Sequence, residues 1–139
     1  MKINYIEKTP TSDDFNMLTE SVGWGKRENS IVEEALKNTL YSLCVYDENQ
    51  LIGYGRIIGD KTIFLYIQDI MVIPKYQGKQ IGTGIMNKLL KQVDRYKKVN
   101  PNIRTYLGAS KGKESFYEKF GFISRPNDKL GAGMILYND

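Results

Sequence analysis

The 139-residue sequence contains no histidine, which removes at once the usual general base, the commonest metal ligand and the usual member of a catalytic triad. Any chemistry must therefore use carboxylates, tyrosines, lysines or the backbone. Cysteine is nearly absent too: Cys44 stands alone, so no internal disulfide and no cysteine-built metal site can form. Without a histidine to activate it, Cys44, in the strand-like stretch YSLCVYD, reads as a core residue rather than a nucleophile. No metal is expected. Apolar runs are strand-sized and interrupted, so no membrane-spanning segment is expected. MKINYIEKTP lacks the apolar core and small-residue cleavage site of a signal peptide, and a cytoplasmic protein is the expectation. Repeats, low-complexity tracts and linkers are also missing, which predicts one domain over residues 1–139. The net charge of +4 is modest. Lys88, Lys91, Arg95, Lys97 and Lys98 crowd one predicted helix, but such a run is ordinarily a solvated face, and no nucleic-acid motif accompanies it.

What the chain does have is a globular composition, 41% hydrophobic and 26% charged, with clear element signals. Lys2 to Ile6 alternates as a strand, and Ser12 is a good N-cap for a helix carrying Phe15, Met17 and Leu18. A second helix starts near Asn29 or Ser30. Tyr41 to Tyr46, Leu51 to Ile58 and Thr62 to Ile73 then read as strands joined by short polar turns, an antiparallel meander. Ile81, Ile85, Met86, Leu89, Leu90, Val93 and Tyr96 recur at three and four residues, one apolar helical stripe. A fifth strand is predicted over Ile103 to Ala109, and a short helix over Lys113 to Phe120 with Gly121 as its C-cap. Phe122 to Ser124 and Met134 to Tyr137 are predicted as the last two strands. Strand, helix and strand between Thr62 and Ala109 form a β-α-β crossover, so the expected sheet is mixed.

Glycine and proline gather at one place, VIPKYQGKQIGTG over residues 72–84, where a strand runs into the long helix. A helix that opens behind a glycine-rich loop leaves several backbone N–H groups without partners, and the positive end of its dipole stands behind them. That arrangement suits an anion. Gly78 and Gly82 permit close backbone approach, and Gln77 and Lys79 add side-chain donors. Neither the Walker pattern nor the dinucleotide fingerprint is matched. From the glycines alone, a tight strand-to-helix turn explains the junction equally well.

The surrounding pattern adds more. VIPKYQGKQIGTGIMNKLL resembles the coenzyme A signature of the GNAT N-acetyltransferases, V-x-P-x-[YF]-[RQ]-G-x-G-I-G, with Val72, Pro74, Tyr76, Gln77, Gly78, Ile81 and Gly82 in register. Gln80 stands where that pattern usually has glycine. About 40 residues on, Phe116 to Phe122 (FYEKFGF) resembles the family's F-Y-x-[KR]-[LF]-G-F hallmark. The resemblance covers essentially the whole chain. It implies an α/β GNAT fold, a central mixed, mostly antiparallel sheet of about seven strands flanked by four helices. It also implies acetyl transfer from acetyl-CoA to a primary amine, taken here as that of a small molecule, by direct attack. A homodimer is compatible with it.

Such a transfer needs a neutral amine. At a pKa of about 10.4 only on the order of one part in two thousand is neutral at pH 7, an unfavourable term of about 4.6 kcal/mol that a base relieves. The resemblance places the base on the strand before the loop, but Tyr66 and Gln68 occupy the positions where family members often carry a glutamate or histidine. Asp69 is the nearest carboxylate. Strand alternation puts it with Ile67 and Met71, opposite Tyr66, Gln68, Ile70 and Val72, unless a bulge re-aims it. By the same resemblance the thioester carbonyl would be polarised by the N–H of Ile70 or Met71, and the pantetheine arm would pair with Ile70 and Val72. Gln77, Gly78, Lys79, Gln80, Ile81, Gly82 and Thr83 would hold the pyrophosphate. Tyr117 falls on the general-acid position. Trp24 reads either as a wall of the acceptor pocket or as a core plug, and Arg56 either as a substrate contact or as a partner of Asp60 or Asp69. A non-catalytic acyl-CoA-binding module is the rival reading, favoured by Tyr66, Gln68 and Gln80.

Overall fold

In the computed structural model, which describes residues 1–138, the antiparallel meander forms as its turns require. β1 (Ile3–Glu7) is followed by α1 (Ser12–Ser21) and α2 (Asn29–Lys37). β2 (Tyr41–Asp47), β3 (Gln50–Gly59) and β4 (Phe64–Val72) come next. A 3-10 turn at Pro74–Tyr76 leads into α3 (Ile81–Val99), then β5 (Arg104–Leu107) and α4 (Glu114–Glu118). The strands make one sheet in the order β1-β2-β3-β4-β5. The first three neighbouring pairs are antiparallel. The crossover through α3 sets β5 beside β4, making the sheet mixed. Among the described residues no helix is long and apolar enough to cross a membrane.

Two compact units divide the chain, Met1–Tyr106 and the residues from Leu107 onward. In the first, helices cover both faces of the sheet. Phe15 of α1 meets Tyr54 of β3 edge to face, with centroids 5.6 Å apart. On the opposite face the stripe of α3 buries Ile81, Ile85, Met86, Leu89, Val93 and Tyr96. Each fully buried aliphatic side chain of this kind contributes roughly 1.5–3 kcal/mol. Gly55 of β3 is required by this packing, because a Cβ there would lie 2.8 Å from both Ile70 Cδ1 and Ile85 Cγ2.

Several boundaries differ from expectation for local reasons. The N-cap of α1 is Thr11, whose hydroxyl accepts the Asp14 N–H at 3.1 Å, and Ser12 lies inside the helix. α4 is shorter than predicted and closes in a turn, with Gly121 at φ +94° donating to the Glu118 carbonyl at 3.0 Å. The expectation of seven strands is corrected to five, because Phe122 to Ser124 and Met134 to Tyr137 are not strands. Alternation confers the capacity for a strand, but a ladder needs a partner edge, and among the described residues neither segment pairs with one; local bonds hold the chain between them. Asn127 Oδ1 accepts the N–H groups of Lys129 and Leu130 at 2.9 and 3.0 Å, Asn127 N–H donates to the Leu130 carbonyl at 2.9 Å, and Arg125 Nε donates to the Gly131 carbonyl at 2.6 Å. Met134 is left 97% exposed.

Candidate active site

The loop between β4 and α3 is fastened at its entry and open at its middle. Ile73 N–H donates to the Ile52 carbonyl of β3 at 2.9 Å, and Gln77 Nε2 folds back onto the Val72 carbonyl at 2.9 Å. Gln77 is thereby occupied by the loop itself. Tyr76 is buried, and its hydroxyl donates to Asp47 Oδ2. Beyond this point Gly78 adopts φ +76°, with nothing within 4 Å of the place a Cβ would take. Gln77, Gly78, Lys79 and Gln80 are exposed. The first backbone bond into α3 is Gly84 N–H to the Gln80 carbonyl, at 3.0 Å. Ile81, Gly82 and Thr83 therefore present N–H groups that the helix cannot satisfy, at the positive end of its dipole. The loop fits a phosphate on this ground. Gln80, the residue out of step with the motif, takes the left-handed conformation at φ +67° that glycine adopts without strain. Gly84 has another purpose, since a Cβ there would lie 2.1 Å from the Tyr5 hydroxyl oxygen of β1. Of the three glycines in the stretch, this one is explained by packing.

The strand before the loop carries a bulge. Tyr54 pairs with Met71 and Arg56 with Gln68, so Gly55 alone faces both Asp69 and Ile70. Asp69 is the bulged residue, at φ +57°. The alternation expected for this strand is corrected only across the bulge: Gln68, opposite Arg56, joins the face of Asp69 and Met71, while Ile67, opposite Ile57, turns to the face of Ile70. Met71 stands opposite Tyr54 on the α1 side, Ile70 turns to the α3 side against Ile85 and Leu89, and Asp69 joins Arg56 on the side of α2. Arg56 Nε donates to Asp69 Oδ2 at 2.7 Å, and Arg56 Nη1 donates to Thr39 Oγ1 at 3.0 Å and to the Ala35 carbonyl at 3.3 Å. One guanidinium thus ties the bulge to the end of α2. Asp60, the other partner considered for Arg56, instead accepts the N–H groups of Thr62, Ile63 and Phe64.

β5 has four residues against nine in β4, and Arg104 N–H meets the Ile63 carbonyl at 3.0 Å, so β5 runs out before the bulge. Past it, the outer edge of Ile70 to Val72 has no strand beside it among the described residues. An extended chain of amides could lie along that edge as an added strand.

Tyr117 lies in the second unit, within a cluster of aromatic rings. Its centroid is 5.0 Å from that of Phe116 and 6.4 Å from that of Phe122. Burial raises the phenol above its ordinary pKa, so it is protonated at neutral pH. Trp24 is 48% exposed and does not plug the core. Cys44 is fully buried, its thiol pushed up to about 11 chiefly by burial. Asp47 was not singled out by the sequence reading. It lies at the end of β2, far along the chain from the loop, and only the fold brings it to Tyr76.

Comparison with known proteins gives a consistent result. The model of the acetyltransferase (GNAT) domain matches residues 20–138. An uncharacterised N-acetyltransferase of Gracilaria tenuistipitata var. liui is 31% identical over 122 residues, 85% of this chain and 65% of that protein. Its counterpart in Porphyra purpurea is 31% identical over 138 residues, 94% of this chain and 76% of that protein. The chain thus spans about two thirds to three quarters of these relatives' length. A solved structure of a probable acetyltransferase from methicillin-resistant Staphylococcus aureus superposes with a TM-score of 0.86 at 30% identity, covering 97% of this chain and 98% of that one.

Proposed function

The chain belongs to the GNAT acetyltransferase family, and from that premise we propose that it transfers an acetyl group from acetyl-CoA to a primary amine of a small molecule. We further propose that residues 1–139 act together as one acetyltransferase domain, a reading supported by a family match that runs through both compact units. The observation that carries the functional reading is the junction of β4 and α3. Three N–H groups unsatisfied by the helix, an open glycine and an unaccompanied strand edge follow one another in the order that a pyrophosphate and its pantetheine arm would need.

Bound acetyl-CoA supplies the activated acetyl group. Gly78, Lys79, Gln80, Ile81, Gly82 and Thr83 hold the pyrophosphate through the backbone and the Lys79 ammonium, while Gln77 shapes the loop by its bond to Val72. Ile70 and Val72 pair with the pantetheine amides at the open edge, and there the N–H of Ile70 polarises the thioester carbonyl, while Met71, in register with Tyr54, supports the site from within the ladder. Asp69 takes the proton of the amine through Oδ1, directly or by a water, with Oδ2 held by Arg56. Tyr117, kept protonated by burial, gives a proton to the departing thiolate. Release of free thiol from acetyl-CoA across a panel of primary amines tests the reading, and no release with any amine would reject it. A non-catalytic acyl-CoA-binding role is the alternative, favoured by the engagement of Asp69 with Arg56. It predicts coenzyme binding in a melt with no thiol release in the panel.

A further inference from the structure

The Asp47–Tyr76 contact joins two parts of the fold that have no chemistry in common. Asp47 ends β2, next to a hairpin tip where Glu48 takes φ +55°. Tyr76 ends the 3-10 turn that delivers the chain to Gln77 and Gly78. Asp47 Oδ1 accepts the Lys2 N–H at 2.9 Å, and Glu48 N–H donates to the Lys2 carbonyl at 3.1 Å, so the carboxylate sits on a strand pair and not on a free loop. Its other oxygen accepts the Tyr76 hydroxyl. The ring of Tyr76 is 6% exposed, which fixes its direction by packing and leaves the hydroxyl a single charged acceptor. Both groups register the contact. The N–H of Lys2 and then the Tyr76 hydroxyl hold the Asp47 carboxyl below the usual range, and the bond to Asp47 pushes the Tyr76 phenol up.

The residues that follow need such an anchor. Gly78 takes its positive φ without strain, but Gln80 does not, and a non-glycine residue keeps that conformation only where the structure around it is held. The α3 end is held by the helix. At the β4 end the backbone bond of Ile73, the turn bonds from the Tyr76 and Gln77 N–H groups to the Ile73 and Pro74 carbonyls, and the fold-back of Gln77 hold the chain locally, but none of these bonds ties the turn to the end of β2. A charge-assisted bond from a buried ring to a carboxylate mounted on the sheet does so.

We propose that Asp47 is a positioning residue for coenzyme binding, acting through Tyr76 to set the pyrophosphate loop. The inference rests on the acetyl-CoA reading of that loop. Titration calorimetry with coenzyme A on the full chain tests it, using Tyr76→Phe, Asp47→Ala, Asp47→Asn and the Tyr76→Phe/Asp47→Ala double variant. Tyr76→Phe and Asp47→Ala should each weaken binding about tenfold, the scale of one hydrogen bond to a charged group. The double variant should be no weaker than either single one, because both remove the same bond. Asp47→Asn keeps one acceptor oxygen for the Lys2 N–H and can turn its NH2 to the Tyr76 hydroxyl as a neutral bond, so it should recover part of the affinity lost in Asp47→Ala. At saturating acetyl-CoA, turnover should be unchanged in Tyr76→Phe, which separates positioning from general damage. Amide hydrogen exchange at Ile73, Tyr76, Gln77 and Gly84, whose N–H groups are bonded around the loop, should quicken in Tyr76→Phe and Asp47→Ala without ligand. Unchanged affinity in Tyr76→Phe, or losses that add in the double variant, would overturn the inference alone. A wild-type chain that does not bind coenzyme A would instead overturn the functional reading, with the exchange result still deciding whether Asp47 sets the loop.

Discussion

Gln80 occupies a left-handed position, φ +67° and ψ 13°, at the mouth of α3, and replacing it by glycine separates two effects that act on the same loop. The left-handed conformation costs an L-residue roughly 1–2 kcal/mol. Glycine relieves that cost but loses about 0.5–1 kcal/mol more backbone entropy on folding. The difference leaves Gln80→Gly more stable by about 0.5–1 kcal/mol, a rise in melting midpoint of about 2–3 °C for a chain of this size. Removing the Cβ also lets the loop close on a phosphate, and affinity for acetyl-CoA should rise about threefold to tenfold, a fraction of one charged hydrogen bond. Gln80→Ala is the control, because alanine keeps both the Cβ and the backbone strain while deleting the side-chain amide. Melts of the three proteins without ligand, followed by calorimetry with acetyl-CoA, give both quantities. Gain in the glycine variant alone assigns the effect to the backbone, whereas equal gain in both assigns it to crowding by the long side chain. Weaker coenzyme binding in both variants with no rise in the glycine midpoint would refute the reasoning and make the Gln80 amide a ligand.

Other outcomes follow from the same geometry. Tyr117→Phe should lower turnover more than coenzyme affinity and remove the alkaline limb of the pH-rate profile; unchanged turnover across pH would exclude the phenol as the acid. Asp69→Asn keeps a residue tolerant of positive φ, so it isolates the charge. Turnover should fall about a hundredfold with acetyl-CoA affinity nearly intact, and a denaturant midpoint that falls while turnover does not would mark the Arg56 pair as purely structural. The Cys44 thiol, pushed up to about 11 by burial, should resist a disulfide reagent at pH 8 until urea unfolds the chain. Burial denies the reagent access in the folded state, so rapid reaction at pH 8 would show the core to be open there.

Much of the scaffold was legible because it depends on local periodicity. The stripe of α3, the three meander strands and the turn after Asp60 each follow from side chains within one turn or one hairpin. The glycine loop was legible too, since motif order and strand-to-helix position are properties of the chain itself. The functions of its glycines were less so: nothing along the chain distinguishes the purpose of Gly84, and only the approach of Tyr5 shows it to be a packing one. Gly55 was not singled out, although it leaves the space that Ile70 and Ile85 fill.

By itself the sequence determined the family, the order of the elements through β5, the place of the glycine-rich loop between β4 and α3, and the exclusion of histidine and internal disulfide chemistry. The tertiary structure decided which way Asp69 points, because a bulge is a mismatch between two strands and cannot be read from one. It also decided that Arg56 holds Asp69, that Asp47 meets Tyr76 across 29 positions of sequence, and that Phe122 to Ser124 and Met134 to Tyr137 remain outside the sheet. In each case the determining partner lies on another element. Pairing of that kind is set by register and packing, and neither is encoded in the residue's own neighbours along the chain.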